Sequence, residues 1–173
     1  MAIGFTSCGG DDKKEVKPEE EEETPEKPKS FAERAVGEYT LQVEVRNIIQ
    51  GNISQQTVKA KETSFKLNEL KGIKITVELE DKKLIGKDKD GVVFFTGSEI
   101  EEQKNGCSFE SEGKVFGGES FMVEPTNIGS KLYEGYYLDK DKQIILQYAF
   151  TDVFSSIQDG KVNYIITCKL KKQ

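Results

Sequence analysis

Apolar and polar residues alternate one by one along four separate segments of the chain. The segments begin at Tyr39, Ile73, Ile144 and Val162. This period of two is typical of β-strands that bury one face and expose the other to water. The apolar face of each segment is made by Tyr39, Leu41, Val43 and Val45; by Ile73, Ile75, Val77 and Leu79; by Ile144, Leu146, Tyr148 and Phe150; and by Val162, Tyr164, Ile166, Cys168 and Leu170.

Residue pairs that favour tight turns lie along the chain between these segments. They are Gly51-Asn52, Asp90-Gly91, Asn105-Gly106, Gly117-Gly118 and Asp159-Gly160. Such pairs suit the positive φ angles of β-hairpins, and no helical pattern is evident between them. We therefore predict an all-β domain, an antiparallel meander of about 8–10 strands that forms a barrel or a sandwich.

The segment Val92-Val93-Phe94-Phe95-Thr96 is apolar on both of its faces. It is therefore interpreted as a central strand, and lining of an interior cavity is the alternative. Asp88-Lys89-Asp90-Gly91 has part of the spacing of a calcium loop, but Gly91 comes too early for one. A hairpin turn is the preferred interpretation there and at Asp139-Lys140-Asp141-Lys142.

A short helix is predicted just before the first strand. Ser30 and Glu33 have the spacing of a capping box, in which each side chain accepts a hydrogen bond from the other residue's backbone. Gly37 can end the helix. The folded domain is accordingly assigned to residues 30–173.

Residues 1–29 differ sharply in composition from this domain. Residues 11–29 contain nine Asp or Glu and five Lys, and residues 19–23 are all Glu. Three of the four prolines, Pro18, Pro25 and Pro28, also lie here. A segment of this kind cannot bury enough apolar surface to offset the entropy of ordering. We predict that residues 1–29 form a disordered, extended tether.

Two cysteines of the domain are candidates for a disulfide. Cys168 lies on an apolar strand face and Cys107 shares a face with Phe109. In an exported protein such a pair can form a disulfide, and two buried free thiols are the alternative.

Composition limits the chemistry available to the chain. It has no histidine, which excludes Ser-His-Asp and Cys-His catalysis and every His-ligated metal site. The domain has carboxylates at Glu99, Glu101, Glu102, Glu110 and Glu112. A glycosidase needs only two carboxylates, but solvated strand faces explain these five. We expect no enzymatic activity, no cofactor and no metal site.

The N-terminal segment Phe5-Thr6-Ser7-Cys8 resembles the lipobox of Bacteroidetes lipoproteins. The charged tract that follows, from Gly9 onward, resembles that of their surface-exported members. The resemblance implies that the Cys8 thiol is lipidated and that the protein is a lipoprotein of the bacterial cell envelope, on the outer membrane. Since only seven residues precede Cys8 and none is basic, we expect an apolar export signal further upstream in the precursor. A cytosolic protein with a stray cysteine is the alternative.

The start of the domain resembles the calycin and lipocalin-like families. A short helix leads into Gly37-Glu38-Tyr39, which is similar to the Gly-x-Trp that opens a calycin barrel, with Tyr39 in place of tryptophan. The two C-terminal segments, residues 142–148 and 160–170, look like the closing strands of such domains. The resemblance implies a cup-shaped barrel that often holds one small apolar ligand.

The sequence thus predicts a lipid-anchored, non-enzymatic envelope protein that binds a small molecule, a glycan or another protein. An assembly module that contacts envelope proteins through exposed strand edges is the alternative, and a carboxylate-based hydrolase is a remote one. No run of 18 apolar residues and no basic stripe are present, so we expect neither a spanning helix nor nucleic-acid binding. The lipid on Cys8 would be the contact with the membrane, and we expect a monomer.

Overall fold

The computed structural model describes residues 27–112, 122–123, 126–128, 131–153 and 160–173. Cys8, most of the predicted tether and the Gly117-Gly118 turn lie outside the described residues. Residues 27–29 are exposed and precede the first helix. The described part of the chain includes no helix with the length and apolarity needed to cross a bilayer.

Strands make up most of the described chain. The three α-helices are α1 (Phe31–Ala35), α2 (Gln55–Ser64) and α3 (Leu67–Leu70). The strands are β1 (Gly37–Gln50), β2 (Lys74–Glu80), β3 (Lys83–Asp88), β4 (Val93–Gln103), β5 (Gly106–Glu112), β6 (Met122–Val123), β7 (Thr126–Ile128), β8 (Lys131–Tyr133), β9 (Gly135–Leu138), β10 (Gln143–Val153) and β11 (Lys161–Lys172).

Eight of these strands close into an antiparallel barrel. Going around it, the order is β1, β2, β3, β4, β5, β9, β10 and β11, and β11 pairs again with β1. The closing register aligns Tyr39 with Lys172 at one end and Gln50 with Lys161 at the other. β6 extends the sheet beside β10, and β7 with β8 forms a separate hairpin. The prediction of an antiparallel all-β fold with a short N-terminal helix is confirmed, and the fold is a barrel rather than a sandwich.

The barrel interior is filled by the alternating residues that the sequence pattern indicated. Tyr39, Leu41, Ile144, Leu146 and Tyr164 are all fully buried. Complete burial of one such large apolar side chain contributes about 1.5–3 kcal/mol to stability. The hydrophobic core therefore lies inside the barrel.

Two glycines make room for aromatic rings in this core. A Cβ atom at Gly86 would collide with the Phe95 ring, and one at Gly135 would collide with the Phe109 ring. Phe95 and Phe109 stack with their ring centroids 6.0 Å apart. Glycine is therefore needed at both positions to let the rings approach the sheet.

The segment predicted to be apolar on both faces is divided by a β-bulge. Pairing of β3 with β4 shifts register after Gly86. Phe94 and Phe95 are both buried, whereas Val92 and Val93 are about half exposed. The segment is thus a core strand only from Phe94 onward.

The turn before this strand is the hairpin that the sequence analysis preferred to a calcium loop. One oxygen of the Asp88 carboxylate accepts hydrogen bonds from the backbone N–H groups of Asp90 and Val92, both at 2.9 Å. Gly91 has a φ of 76°. The Asp139-Lys140-Asp141-Lys142 segment likewise joins two strands, β9 and β10.

The expectation that no helix separates the strands is wrong for residues 51–73. Gly51-Asn52, interpreted as a hairpin turn, instead leads into α2 and α3, and β2 begins only after them. The Ser54 hydroxyl caps α2 by accepting a hydrogen bond from the Thr57 N–H at 3.1 Å. Val58 is the one residue of α2 that is buried, so the helix shows almost no apolar periodicity in the sequence. We call residues 51–73 the cover segment.

Candidate functional site

One end of the barrel is sealed by α1. The predicted capping box forms: the Ser30 hydroxyl accepts from the Glu33 N–H at 3.2 Å, and the Glu33 carboxylate accepts from the Ser30 N–H at 2.6 Å. These hydrogen bonds hold the pKa of Glu33 below its usual value. The carboxylate of Glu102, on β4, accepts from the Phe31 and Ala32 N–H groups. The free N–H groups of the first helical turn are thereby satisfied.

The carbonyl groups at the other end of α1 are bonded to barrel side chains. The Tyr39 hydroxyl donates to the Ala35 carbonyl at 2.6 Å. The Arg34 carbonyl accepts from Lys172 Nζ at 2.6 Å and from the Tyr137 hydroxyl at 3.3 Å. Three strands therefore hold the short helix in place.

Asp139 connects α1 to the β9–β10 turn. Its carboxylate accepts from Lys142 Nζ at 2.7 Å and from Arg34 Nη1 at 3.3 Å, and the Tyr137 hydroxyl lies 3.2 Å away. The hydrogen bond from Lys142 is the main reason that the pKa of Asp139 is lowered. This network and the capping groups of α1 close this end of the barrel.

The opposite end is covered by the cover segment. β1 begins beside α1 and ends at Gln50, and the cover segment continues from there. Phe65, which ends α2, is fully buried. Its ring meets the Tyr164 ring edge-on at 5.2 Å and the Phe150 ring edge-on at 6.1 Å. Phe65 thus holds the cover segment to strands β10 and β11 through ring contacts with Phe150 and Tyr164.

Tyr164, whose ring Phe65 contacts, carries a buried hydroxyl group without a hydrogen-bond partner in the described structure. Tyr164 is fully buried, and its hydroxyl bonds to no group in the described structure. Burial, and next the nearby carboxylates of Asp152 and Glu62, raise the pKa of Tyr164 to about 12. An unsatisfied buried polar group costs roughly 1–3 kcal/mol, so the great majority of such groups have a partner.

Two polar contacts join α2 to the strands around Tyr164. Asn47 Nδ2 donates to Glu62 Oε1 at 2.5 Å. Lys61 Nζ lies 3.8 Å from Asp152 Oδ2 and 4.9 Å from the centroid of the Phe150 ring. The candidate functional site is therefore the place where the Phe65 ring packs against the rings of β10 and β11, bordered by these side chains.

A surface groove of about 550 Å³ lies near the sealed end of the barrel. It is open to solvent and has a mixed lining of charged and apolar side chains. The lining residues are Ser30, Ala32, Leu79, Asp81, Lys82, Lys83, Ser98, Glu99, Ile100 and Glu101. The groove lies outside the barrel core.

The carboxylates noted in the sequence are only partly explained by solvated strand faces. Glu99, Glu101, Glu110 and Glu112 follow that interpretation, since Glu99 and Glu101 line the open groove and the β5 pair is exposed. Glu102 does not, because it caps α1. A bulge between Ser98 and Glu101 shifts the register of β4 against β5, and this shift aligns Glu102 with the core residue Cys107.

Both cysteines of the predicted pair are free, buried thiols. Cys107 is on β5 and Cys168 on β11, and β9 and β10 lie between these strands. Neighbouring strands are about 4.8 Å apart, so three steps exceed the Cα separation of about 7 Å that a disulfide tolerates. Burial raises the pKa of each thiol to about 12. The pair is therefore part of the core, and the disulfide alternative does not describe this structure.

Cys8, the predicted lipidation site, lies outside the described residues. Within the described ranges there is no group of three or more Cys, Asp or Glu side chains placed to hold a metal ion.

Sequence reasoning placed Tyr164 on an inward face but missed its unpaired hydroxyl, and it missed Phe65 because the cover segment was not recognised. The Ser54 cap was the local signal that could have found the helix.

The comparisons with known proteins give no match: no protein-family model, curated protein or solved structure resembles this chain significantly. The closed eight-stranded antiparallel barrel is compatible with a lipocalin-like fold.

Proposed function

We propose that this protein is a non-catalytic binding protein of the bacterial cell envelope. Lipid on Cys8 holds it to the outer membrane, and a small molecule enters the barrel at the end under the cover segment. The observation that carries the binding role is the difference between the two barrel ends. One is held by a dense hydrogen-bond network around α1, whereas the other is covered by a segment that packs on the barrel mainly through the apolar side chains of Val58, Phe65 and Leu67.

The sealed end is stabilised in its closed form by hydrogen bonds to α1. Helix α1 has its N–H groups capped by Ser30 and Glu102 and its carbonyls bonded to Tyr39, Tyr137 and Lys172. Opening this end would expose all these groups at once. Each hydrogen bond contributes a net stabilisation of about 0.5–1.5 kcal/mol, so the sealed state is strongly favoured.

The covered end is held mainly by apolar packing rather than by a network of side-chain hydrogen bonds. Helix α2 buries Val58, the adjoining Phe65 and Leu67 are buried as well, and the polar contacts of α2 to the strands include Asn47–Glu62 and Lys61–Asp152. Segments outside the core strands can open locally at a lower free energy than the whole protein unfolds. Displacement of the cover segment would remove Phe65 from the barrel and leave a ring-lined pocket.

The envelope location is supported by the lipobox-like segment that ends at Cys8. The acidic, proline-containing residues 9–29 then separate the anchor from Ser30, where the folded domain begins. An extended spacer of this composition suits a domain held away from a membrane surface. The assembly-module alternative has less support, because closure of the barrel pairs the edge of β1 with the edge of β11. Those edges are therefore not open for pairing with another protein.

The test is a fluorescence titration of the full chain with N-phenyl-1-naphthylamine, a neutral apolar probe. We expect saturable binding, and about fivefold tighter binding when Glu62→Ala removes the Asn47 contact and favours the open state. Glu44→Ala is the matched control, because Glu44 pairs with Lys169 on the outside of the barrel. Absence of saturable binding to both the wild type and Glu62→Ala would overturn the proposal, and so would an equal effect of Glu44→Ala.

A further inference from the structure

We infer that the site under the cover segment takes a neutral molecule with a ring-sized apolar group and an acceptor oxygen. The ring would replace Phe65, and the oxygen would accept a hydrogen bond from the Tyr164 hydroxyl. This inference rests on the proposed binding function and adds the chemical class of the ligand.

The hydroxyl of Tyr164 supplies the polar part of the argument. It is fully buried and without a partner in the described structure. A protonated phenol is a hydrogen-bond donor, and Tyr164, with a pKa raised to about 12, is protonated at physiological pH as an ordinary tyrosine is. A ligand oxygen that accepts from it satisfies a donor that the unliganded protein leaves unpaired, which favours such a ligand over a hydrocarbon.

The aromatic residues define the shape of the apolar part. Phe150 and Tyr164 lie side by side in a stacked arrangement, with ring centroids 6.2 Å apart. Phe65 stands edge-on to both, at interplanar angles of 85° and 86°. Edge-to-face contacts of this kind are favourable for any aromatic ring. A ligand ring can therefore take the place of Phe65 with the same geometry.

The charged groups around the pocket select against anions. The carboxylates of Asp152 and Glu62 are close enough to raise the pKa of Tyr164. Lys61 is the cation beside them, and it already pairs with Asp152 and lies over the Phe150 ring. A ligand carboxylate would be placed near two like charges in a partly desolvated site, which disfavours it relative to a neutral ketone or ether oxygen.

Three naphthalenes separate these contributions in a displacement assay against bound N-phenyl-1-naphthylamine. Naphthalene has the ring alone, 2-acetylnaphthalene adds a neutral acceptor oxygen, and 2-naphthoate adds a negative charge. On the wild type we expect 2-acetylnaphthalene to displace the probe at about tenfold lower concentration than naphthalene. We expect 2-naphthoate to be the weakest of the three.

Tyr164→Phe should abolish the advantage of 2-acetylnaphthalene over naphthalene. Tyr148→Phe is the matched control, because it deletes the same atom from the same barrel at a hydroxyl beside Ser111, and it should keep the advantage. Circular dichroism of both variants checks that they are folded. An advantage that persists in Tyr164→Phe, or 2-naphthoate as the strongest competitor, overturns the inference while the binding function stands. Failure of the probe itself to bind overturns the proposed function.

Discussion

Glu102 on β4 accepts hydrogen bonds from the backbone N–H of Phe31 at 3.0 and 3.1 Å, although the two residues are 71 positions apart in the sequence. The carboxylate thereby supplies a helix cap from outside the helix. A negative charge at a helix N-terminus also interacts favourably with the helix dipole. This contact connects the start of the folded domain to the C-terminal end of β4, at the sealed end of the barrel.

The first prediction follows from that cap. Glu102→Ala should destabilise the protein by about 1–2 kcal/mol, as the loss of a helix cap does elsewhere, and Glu102→Gln, which keeps an acceptor oxygen, should cost less. Urea unfolding measures the difference. Glu101→Ala is the control, since Glu101 is an exposed neighbour that lines the groove. Equal effects at both positions would contradict the capping role.

The second prediction concerns acid stability and Asp139. Its pKa is lowered in the folded state, so the ionised carboxylate stabilises the fold at pH values above its unfolded pKa of about 4. This contribution is lost as the pH falls through the folded pKa. Asp139→Asn should therefore be less stable than the wild type at pH 7, and the difference should shrink as the pH falls below the unfolded pKa and through the lowered folded pKa.

Urea midpoints measured from pH 7 to pH 2 follow this difference. Asp141→Asn is the control because Asp141 is an exposed carboxylate in the same turn. A stability difference between Asp139→Asn and the wild type that stays constant over the whole pH range would contradict the assignment.

The third prediction concerns Cys107 and Cys168. Both are buried free thiols with a pKa raised to about 12, and the thiolate is the reactive form. In a Cys8→Ser background at pH 8, the folded protein should react with Ellman's reagent only at the rate of unfolding. After unfolding without reductant, two thiols should react at once. No reactive thiol after unfolding would mean that the pair is bonded.

The fourth prediction concerns the close approach of Gly135 to the Phe109 ring. Gly135→Ala should destabilise the barrel by about 1–3 kcal/mol, because the added methyl group overpacks the core. In a Phe109→Leu background the same substitution should cost less, since the ring is gone. Thermal unfolding of the four proteins in this cycle measures the coupling. Additive effects would show that the ring is not the obstacle.

The fifth prediction concerns the membrane anchor. When the chain is expressed in its native host with its upstream sequence, it should fractionate with membranes, and Cys8→Ser should release it to the soluble fraction. The physical reason is that lipid attached to the cysteine thiol is the sole membrane contact we propose. Membrane association that survives the substitution would rule out Cys8 as the anchor.

The disordered tether predicted for residues 1–29 also stays a prediction, because most of these residues lie outside the described part of the chain.

Local patterns in the sequence were enough for four of the strands, β1, β2, β10 and β11, and for the first helix. Alternation identified the inward faces that contain Tyr39, Tyr164 and Cys168, because a buried strand face requires an apolar residue at every second position. The Ser30 and Glu33 capping box was also visible, because both of its partners lie within one helical turn. The Asp88 hairpin was predictable for the same local reason.

Alternation along single strands did not determine how the strands close or what covers the barrel. The pairing of β1 with β11 joins residues more than 100 positions apart. This pairing is what makes the fold a closed barrel rather than a sandwich. A bulge in β4 aligned Glu102 with a core residue, because one extra residue reverses the face of every residue after it. Phe65 and the unpaired Tyr164 hydroxyl became a candidate site only when the cover segment packed against β10 and β11. That packing depends on three-dimensional proximity, since α2 has too little apolar periodicity to be recognised alone.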